Sequence, residues 1–250
     1  MTGRATEATA GVASPLDGTQ RIRGVVFDLD GTLYRQAPLR ALMALELATL
    51  PLAGPWQARR RYRALAEFRR AQEYLRAAPV NGSIAPTQRK LAAEYASLPI
   101  SDVDRLVEEW MMIRPLKYLR WCRSPGIVPL LDFLEQRHVR AGVLSDYPAD
   151  AKLRALGLAG RLSPVLCSTD SAIGSLKPHP RGFLYASEAW HLSPREVLVV
   201  GDRADVDAAG AAAAGMPCVI IGVRSGADAT RLGHLVLPSL KRLHRVLKGR

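Results

Sequence analysis

Five short apolar runs punctuate the chain, at 22–28 (IRGVVFD), 139–145 (VRAGVLS), 165–168 (VLCS), 197–201 (VLVVG) and 218–222 (CVIIG). Helical patterns fall between the later ones. They span 127–137, after Ser124-Pro125-Gly126; 149–156, closed by Gly157; 181–191; and 205–214, closed by Gly215. Strands alternating with helices predict βαβ units and a parallel sheet, hence an α/β fold with a doubly wound, Rossmann-like core.

The interval between the first and second runs is far too long for one crossover helix. Residues 35–123 are rich in helix formers and end at Cys122-Arg123-Ser124-Pro125-Gly126. They read as an inserted α-helical cap subdomain with hinges near 34–38 and 123–126. The expected organisation is a disordered lead-in over 1–21, an α/β core made of 22–34 and 124–250, and a helical cap over 35–123.

Composition narrows the setting. The 250 residues are 48% hydrophobic and 23% charged, an ordinary globular balance. No stretch approaches the roughly 18 to 20 apolar residues of a membrane span, so no transmembrane segment is expected. The opening MTGRATEATAGVASPLDGTQ lacks the apolar stretch of a secretory signal. Cys122, Cys167 and Cys218 are odd in number and far apart, which argues against a disulfide framework and places the chain in the reducing cytoplasm. The net charge of +12 points to anionic partners or to an Arg-rich composition at large. The expected cap holds 16 Lys/Arg against 8 Asp/Glu, so it carries most of that excess. Its run Arg59-Arg60-Arg61 is either a solvated helix face or a patch turned toward an anionic substrate. No nucleic-acid recognition motif accompanies it, and nothing in the pattern sets an oligomeric state. The last residues, LPSLKRLHRVLKGR, put their leucines on one helical face, as a terminal helix packed on the core would.

In a parallel α/β sheet, ligands sit beyond the carboxyl ends of the strands. Past the first strand come Asp28, Asp30 and Thr32; past the second, Ser145 and Asp146. A loop after the third carries Lys177 in LKPHP, and the fourth ends in GDRADVD with Asp202, Asp205 and Asp207. Acids, a hydroxyl and a lysine thus meet at one edge. Phosphoryl transfer through a carboxylate calls for such a set. An aspartate approaching a phosphate dianion is repelled by about 4 kcal/mol per pair of unit charges at 4 Å and an effective dielectric of 20. A lysine and a divalent cation can cancel that, and a cluster of oxygens with retained water suits Mg²⁺.

Asp28-Leu29-Asp30-Gly31-Thr32, Ser145, Lys177-Pro178 and Gly201-Asp202 through Asp207 resemble, in order, the four motifs of the haloacid dehalogenase (HAD) superfamily. The insertion after the first motif resembles the helical cap of many members. The resemblance implies that Asp28 attacks phosphorus to form an aspartyl-phosphate, and that Asp30 protonates the leaving oxygen and then activates water. It implies that Ser145 and Lys177 hold the phosphoryl group, and that Asp28, Asp202 and the backbone carbonyl of Asp30 bind Mg²⁺. Asp207, with Asp205 as its rival, would support the metal's water shell or Lys177. Dehalogenase members lack an acid at position 30, since a departing halide needs no proton. Asp30 therefore points to a Mg²⁺-dependent phosphatase acting on a small anionic phosphate monoester. A phosphomutase of the same superfamily, or a regulatory protein that keeps the fold, are the alternatives. Two departures stand out. Asp146 follows Ser145 where many relatives have asparagine, and an extra carboxylate there is unfavourable unless it points away. The segment after Thr32, LYRQ, lacks an acid that many sugar-phosphate relatives carry.

The single-residue alternatives are structural. Asp202, Asp205 or Asp207 can cap the Ala-rich helix that follows, and Ser145 can end its strand. Lys177 can be a solvated lysine.

Overall fold

A computed structural model describes residues 21–48, 54–77, 83–222 and 234–249. The lead-in expected over 1–21 lies, but for Arg21, outside them.

Six parallel strands form one sheet in the order β3-β2-β1-β4-β5-β6. They are β1 (Gly24–Phe27), β2 (Arg140–Ser145), β3 (Val165–Cys167), β4 (Val197–Gly201), β5 (Cys218–Ile221) and β6 (Leu235–Leu237). The register aligns Phe27 with Val143 on one side and with Val200 on the other. Alternation along each strand divides the core. Val25, Phe27, Leu198, Val200 and Val219 face one layer of helices. Val26, Val197, Val199, Cys218 and Ile220 face the other. The first layer is built from α6 (Ile127–Gln136), α7 (Asp150–Leu156) and α10 (Leu240–Lys248); the second from α8 (Arg181–Ala189) and α9 (Ala209–Ala213).

The helices follow their apolar spacing. In α6, Ile127, Leu130, Leu131 and Leu134 make one buried stripe on the sheet. In α10, Leu240 and Leu243 are buried while the basic residues stay outside, and Ser239 caps its first turn by accepting the Arg242 N–H at 3.3 Å. Two elements differ from the sequence reading. The strand β6 has only three residues, too few for a periodic signal. The expected helix 205–214 opens as a π-helical turn over Ala204–Ala208 before α9 begins.

Between β1 and β2 the chain inserts α1 (Gln36–Ala48), α2 (Pro55–Ala77), α3 (Ile84–Ala96), α4 (Ile100–Val107), a π-helical stretch (Glu108–Ile113) and α5 (Leu116–Cys122). Ala64, Phe68, Ala71, Ala92, Val103, Leu106 and Trp110 form a core of its own. The outgoing and returning segments are tied side by side: Arg35 N–H donates to Cys122 O at 2.9 Å, and Ser124 N–H to Leu33 O at 3.0 Å. Arg60 pairs with Asp102 and Arg61 lies over the Trp110 ring, so both are spent within the insertion. No helix among the described residues is long and apolar enough to cross a membrane.

The central strands carry the stability. Leu198 is fully buried in β4, and Leu198→Ala should cost about 3 kcal/mol through lost burial and the cavity left behind. A urea titration by circular dichroism reads this as a lower midpoint with an unchanged slope.

Candidate active site

Three adjacent strands, β2, β1 and β4, deliver Ser145, Asp28 and Asp202 to one edge, where the strand order reverses. Asp28 continues β1, its N–H donating to Val200 O at 2.8 Å. Asp202 follows the last residue of β4. The π-helical turn then folds Asp207 back beneath the strand end, where it is buried. That return depends on Gly201, since a Cβ there would lie 2.4 Å from Asp207 Cβ. Gly31 is equally constrained. Its φ of +111° suits glycine, and a Cβ would meet Asp202 Oδ2 at 2.0 Å.

Lys177 comes from the loop between β3 and α8. Its ammonium is buried and donates to Asp28 Oδ1 at 2.5 Å and to Asp207 Oδ1 at 2.7 Å. Asp207 Oδ2 accepts the backbone N–H groups of Asp202 (3.3 Å) and Arg203 (3.2 Å), so this carboxylate holds the loop as well as the lysine. Asp205 points elsewhere, paired with Arg203 at 2.6 Å. Ser145 is buried, and its Oγ accepts the Tyr147 N–H at 3.2 Å, which leaves its proton free to donate.

Oxygens of Asp28, Asp202 and Asp207 lie within 4.8 Å of one another, close enough to share a cation. Asp28 Oδ2 is buried without a hydrogen-bond partner. Burial first, then the charges of Asp207 and Asp202, hold the Asp28 carboxyl well above the usual carboxylate range against the pull of Lys177. Burial and Asp207 likewise push Asp202 up to about 6. Burial would lower the Lys177 pKa, but Asp207 and Asp28 outweigh it and keep the ammonium charged. One lysine therefore does not balance this set, and a divalent cation bound by Asp28 Oδ2 and Asp202 fits it. The Asp30 carbonyl, also expected as a metal ligand, already accepts the Gln36 side-chain N–H at 2.5 Å and keeps a second lone pair.

Asp30 stands apart from this cluster. Its carboxylate receives the Lys152 ammonium on both oxygens, at 2.7 and 3.0 Å, and the Tyr34 hydroxyl at 2.6 Å. Burial works to raise its pKa, but Lys152 and Tyr34 prevail and leave it below the ordinary value. Lys152 is a residue that the sequence reading missed. A signal was available: Leu153 and Leu156 are buried in α7 and Ala149 just before it, and position 152 falls on that stripe. A lysine there must find an acid.

A cavity of about 470 Å³ opens in front of these residues and runs between core and insertion. Its far wall is largely apolar, with Leu39, Met43, Leu65, Trp110 and Met111, and its cations from the insertion are Arg40, Arg69 and Arg76. Arg59, Arg60 and Arg61 do not line it.

The sequence model of the haloacid dehalogenase-like hydrolases matches residues 22–215. The chain is 32% identical over 216 residues to phosphoglycolate phosphatase of Escherichia coli strain K12, across 79% of this chain and 80% of that protein. Among solved structures, a 2-haloacid dehalogenase from Pseudomonas syringae pv. Tomato DC3000 is similar with a TM-score of 0.56 and 29% identity, covering 91% of this chain and 99% of that one. A HAD phosphatase from Thermococcus onnurineus shares the fold with a TM-score of 0.61 at 22% identity, covering 92% and 99%. The chain belongs to the haloacid dehalogenase-like hydrolase family.

The Lys152–Asp30 pair yields a pH-dependent prediction. The folded pKa of Asp30 lies below its unfolded value of about 3.9, so the stabilisation is present above that value and is lost as pH falls through the folded pKa. Lys152→Met should cost about 2 kcal/mol at pH 7, by leaving Asp30 without its cation. The deficit should narrow toward pH 4, where Asp30 in the variant takes up a proton. Urea titrations of both proteins at pH 7 and pH 4.5 check this; an equal deficit at both would rule out the charge pair as its source.

Proposed function

We propose that this hydrolase cleaves phosphate monoesters through an aspartyl-phosphate on Asp28, with Mg²⁺ as cofactor. The observation that carries the reading is Asp28 itself: buried, bonded to the Lys177 ammonium on one oxygen, bare on the other, and flanked by Asp202. In the first step an Asp28 oxygen attacks phosphorus and the bond to the ester oxygen breaks; Asp30, ionised while Lys152 and Tyr34 hold it, gives that oxygen a proton that it takes up from solvent as this pairing loosens around the bound substrate. In the second, water attacks the same phosphorus and its proton passes to Asp30. The bond to Asp28 breaks, and orthophosphate leaves. Lys177 and the Ser145 hydroxyl hold the phosphoryl oxygens. Mg²⁺, held by Asp28 Oδ2, Asp202 and the Asp30 carbonyl, would offset the negative charge that three carboxylates and a phosphate bring together. Asp207 supports this from behind by fixing Lys177 and the Asp202 loop.

Both phosphatases and a dehalogenase stand among the similar proteins. Asp30 favours the phosphatase reading, because an alkoxide leaving group needs a proton and a halide does not. Phosphoglycolate is a candidate substrate by similarity to the curated relatives. The apolar wall also leaves room for a larger alcohol, so a useful screen spans both.

Purified protein with Mg²⁺ should release orthophosphate from such a panel and no chloride from 2-chloropropionate; chloride without phosphate would overturn the reading. Asp28→Asn should lower kcat by at least about a thousandfold, by analogy with the loss of other activated nucleophiles, while the circular dichroism spectrum is kept. EDTA should abolish turnover and Mg²⁺ restore it. Gly31→Ala removes no ligand, yet its methyl would displace Asp202, so calorimetry should show Mg²⁺ binding weakened about tenfold or more.

A further inference from the structure

The acid at position 146 is the family departure that the reaction scheme leaves unused. Its carboxylate is about nine-tenths buried and sits one residue beyond Ser145, beside the place where the phosphoryl group is held. Left alone, it would repel a phosphate dianion. It is not left alone. Arg76, in the last turn of α2, reaches out of the insertion and donates to Asp146 Oδ2 at 2.6 Å. Its other terminal nitrogen donates to the backbone carbonyl of Lys177 at 2.5 Å. Asp146 Oδ1 meanwhile accepts the Lys177 N–H at 3.4 Å. Among the described residues, no other side-chain cation pairs with Asp146. Arg76 thus brackets the Lys177 segment from outside, while the ammonium of that segment holds Asp28. At the same turn Glu73 accepts from the Arg203 guanidinium at 2.8 Å, which joins α2 to the loop after β4.

We propose that Arg76 is a positioning residue through which the helical insertion completes the phosphoryl site. By cancelling the charge of Asp146 and gripping the Lys177 carbonyl, it makes high affinity for a phosphate dianion conditional on the insertion lying against the strand ends. When α2 withdraws, Asp146 is a bare carboxylate next to the site and product phosphate is expelled; when α2 returns, the repulsion is gone. Closure and phosphate affinity are then one equilibrium, because the cation that balances Asp146 comes from the insertion and not from the core. The proposal rests on the phosphatase reading for its ligand, orthophosphate or a phosphoryl group, and differs from a direct role in which Arg76 touches the substrate.

Charge-pair rescue separates the two. With p-nitrophenyl phosphate and Mg²⁺, Arg76→Ala should lower kcat/KM about a hundredfold, within the range for truncating one member of a buried, hydrogen-bonded charge pair. The double variant R76A/D146N should recover to within about tenfold of wild type. A double variant as poor as Arg76→Ala would mean that Arg76 acts on the substrate or only on folding, and would overturn the proposal. A second measurement needs neither turnover nor a folded Arg76→Ala protein. Calorimetric titration of Asp146→Asn with orthophosphate in Mg²⁺ should give a Kd about tenfold lower than wild type; an equal or higher Kd overturns the proposal. Orthophosphate binding that answers to Asp146 in a protein that cleaves no ester would instead sink the phosphatase reading and leave this one standing.

Discussion

Three carboxylates crowded at the mouth of a sheet, with a single ammonium among them, are the constraint on which the rest of this structure depends. Asp28, Asp202 and Asp207 repel one another in a place with little water to screen them. The fold meets that cost with specific devices. A buried lysine touches two of the three, and backbone N–H groups take the far oxygen of Asp207. Two glycines remove the Cβ atoms that would keep the acids apart. What is left over is one bare oxygen on Asp28 and a raised proton affinity on two of the acids. Those features leave the site able to take up a cation, at the expense of its own stability.

Around this centre runs a second set of ion pairs: Lys152 with Asp30, Arg76 with Asp146, and Arg203 with Glu73. Two of these join the insertion to the core. The Lys152–Asp30 and Arg76–Asp146 pairs are buried and add little net stability, since desolvation consumes most of the attraction; the exposed Arg203–Glu73 pair adds little because solvent screens it. The buried pairs are demanding about geometry, however, because losing one partner strands the other. The sheet and its helices hold the acids in place by hydrophobic packing; the insertion sits on them both by apolar contact, with Leu39, Leu119 and Cys122 in the main core and Leu75 against Leu176, and by these charge pairs.

The periodic patterning was enough to place five of the six strands and most of the core helices, because alternation and helical spacing are local rules that each segment satisfies alone. The four polar clusters were legible for the same reason: a carboxylate just past an apolar run is visible in a few consecutive residues, and the topology of parallel sheets puts all such ends together. The strand β6 escaped because three residues carry no period.

What tertiary structure alone decided are the pairings across long stretches of chain. Asp207 and not Asp205 lies against Lys177, because a π-helical turn rotates one of two similar acids inward. Arg76 and Asp146 are 70 residues apart, and Asp30 and Lys152 are 122 apart. Each pair joins elements whose periodicity says which face is buried but not which neighbour it meets. In the arginine run at 59–61, conspicuous in the sequence, Arg60 and Arg61 are spent on Asp102 and Trp110 inside the insertion. The less conspicuous Arg76 reaches the site because the end of α2, with Leu75 packed on Leu176, lies beside the loop that carries Lys177. Local chemistry thus set which residues stand at the strand ends, and the docking of helices, a balance of many distant contacts, set which charges would complete them.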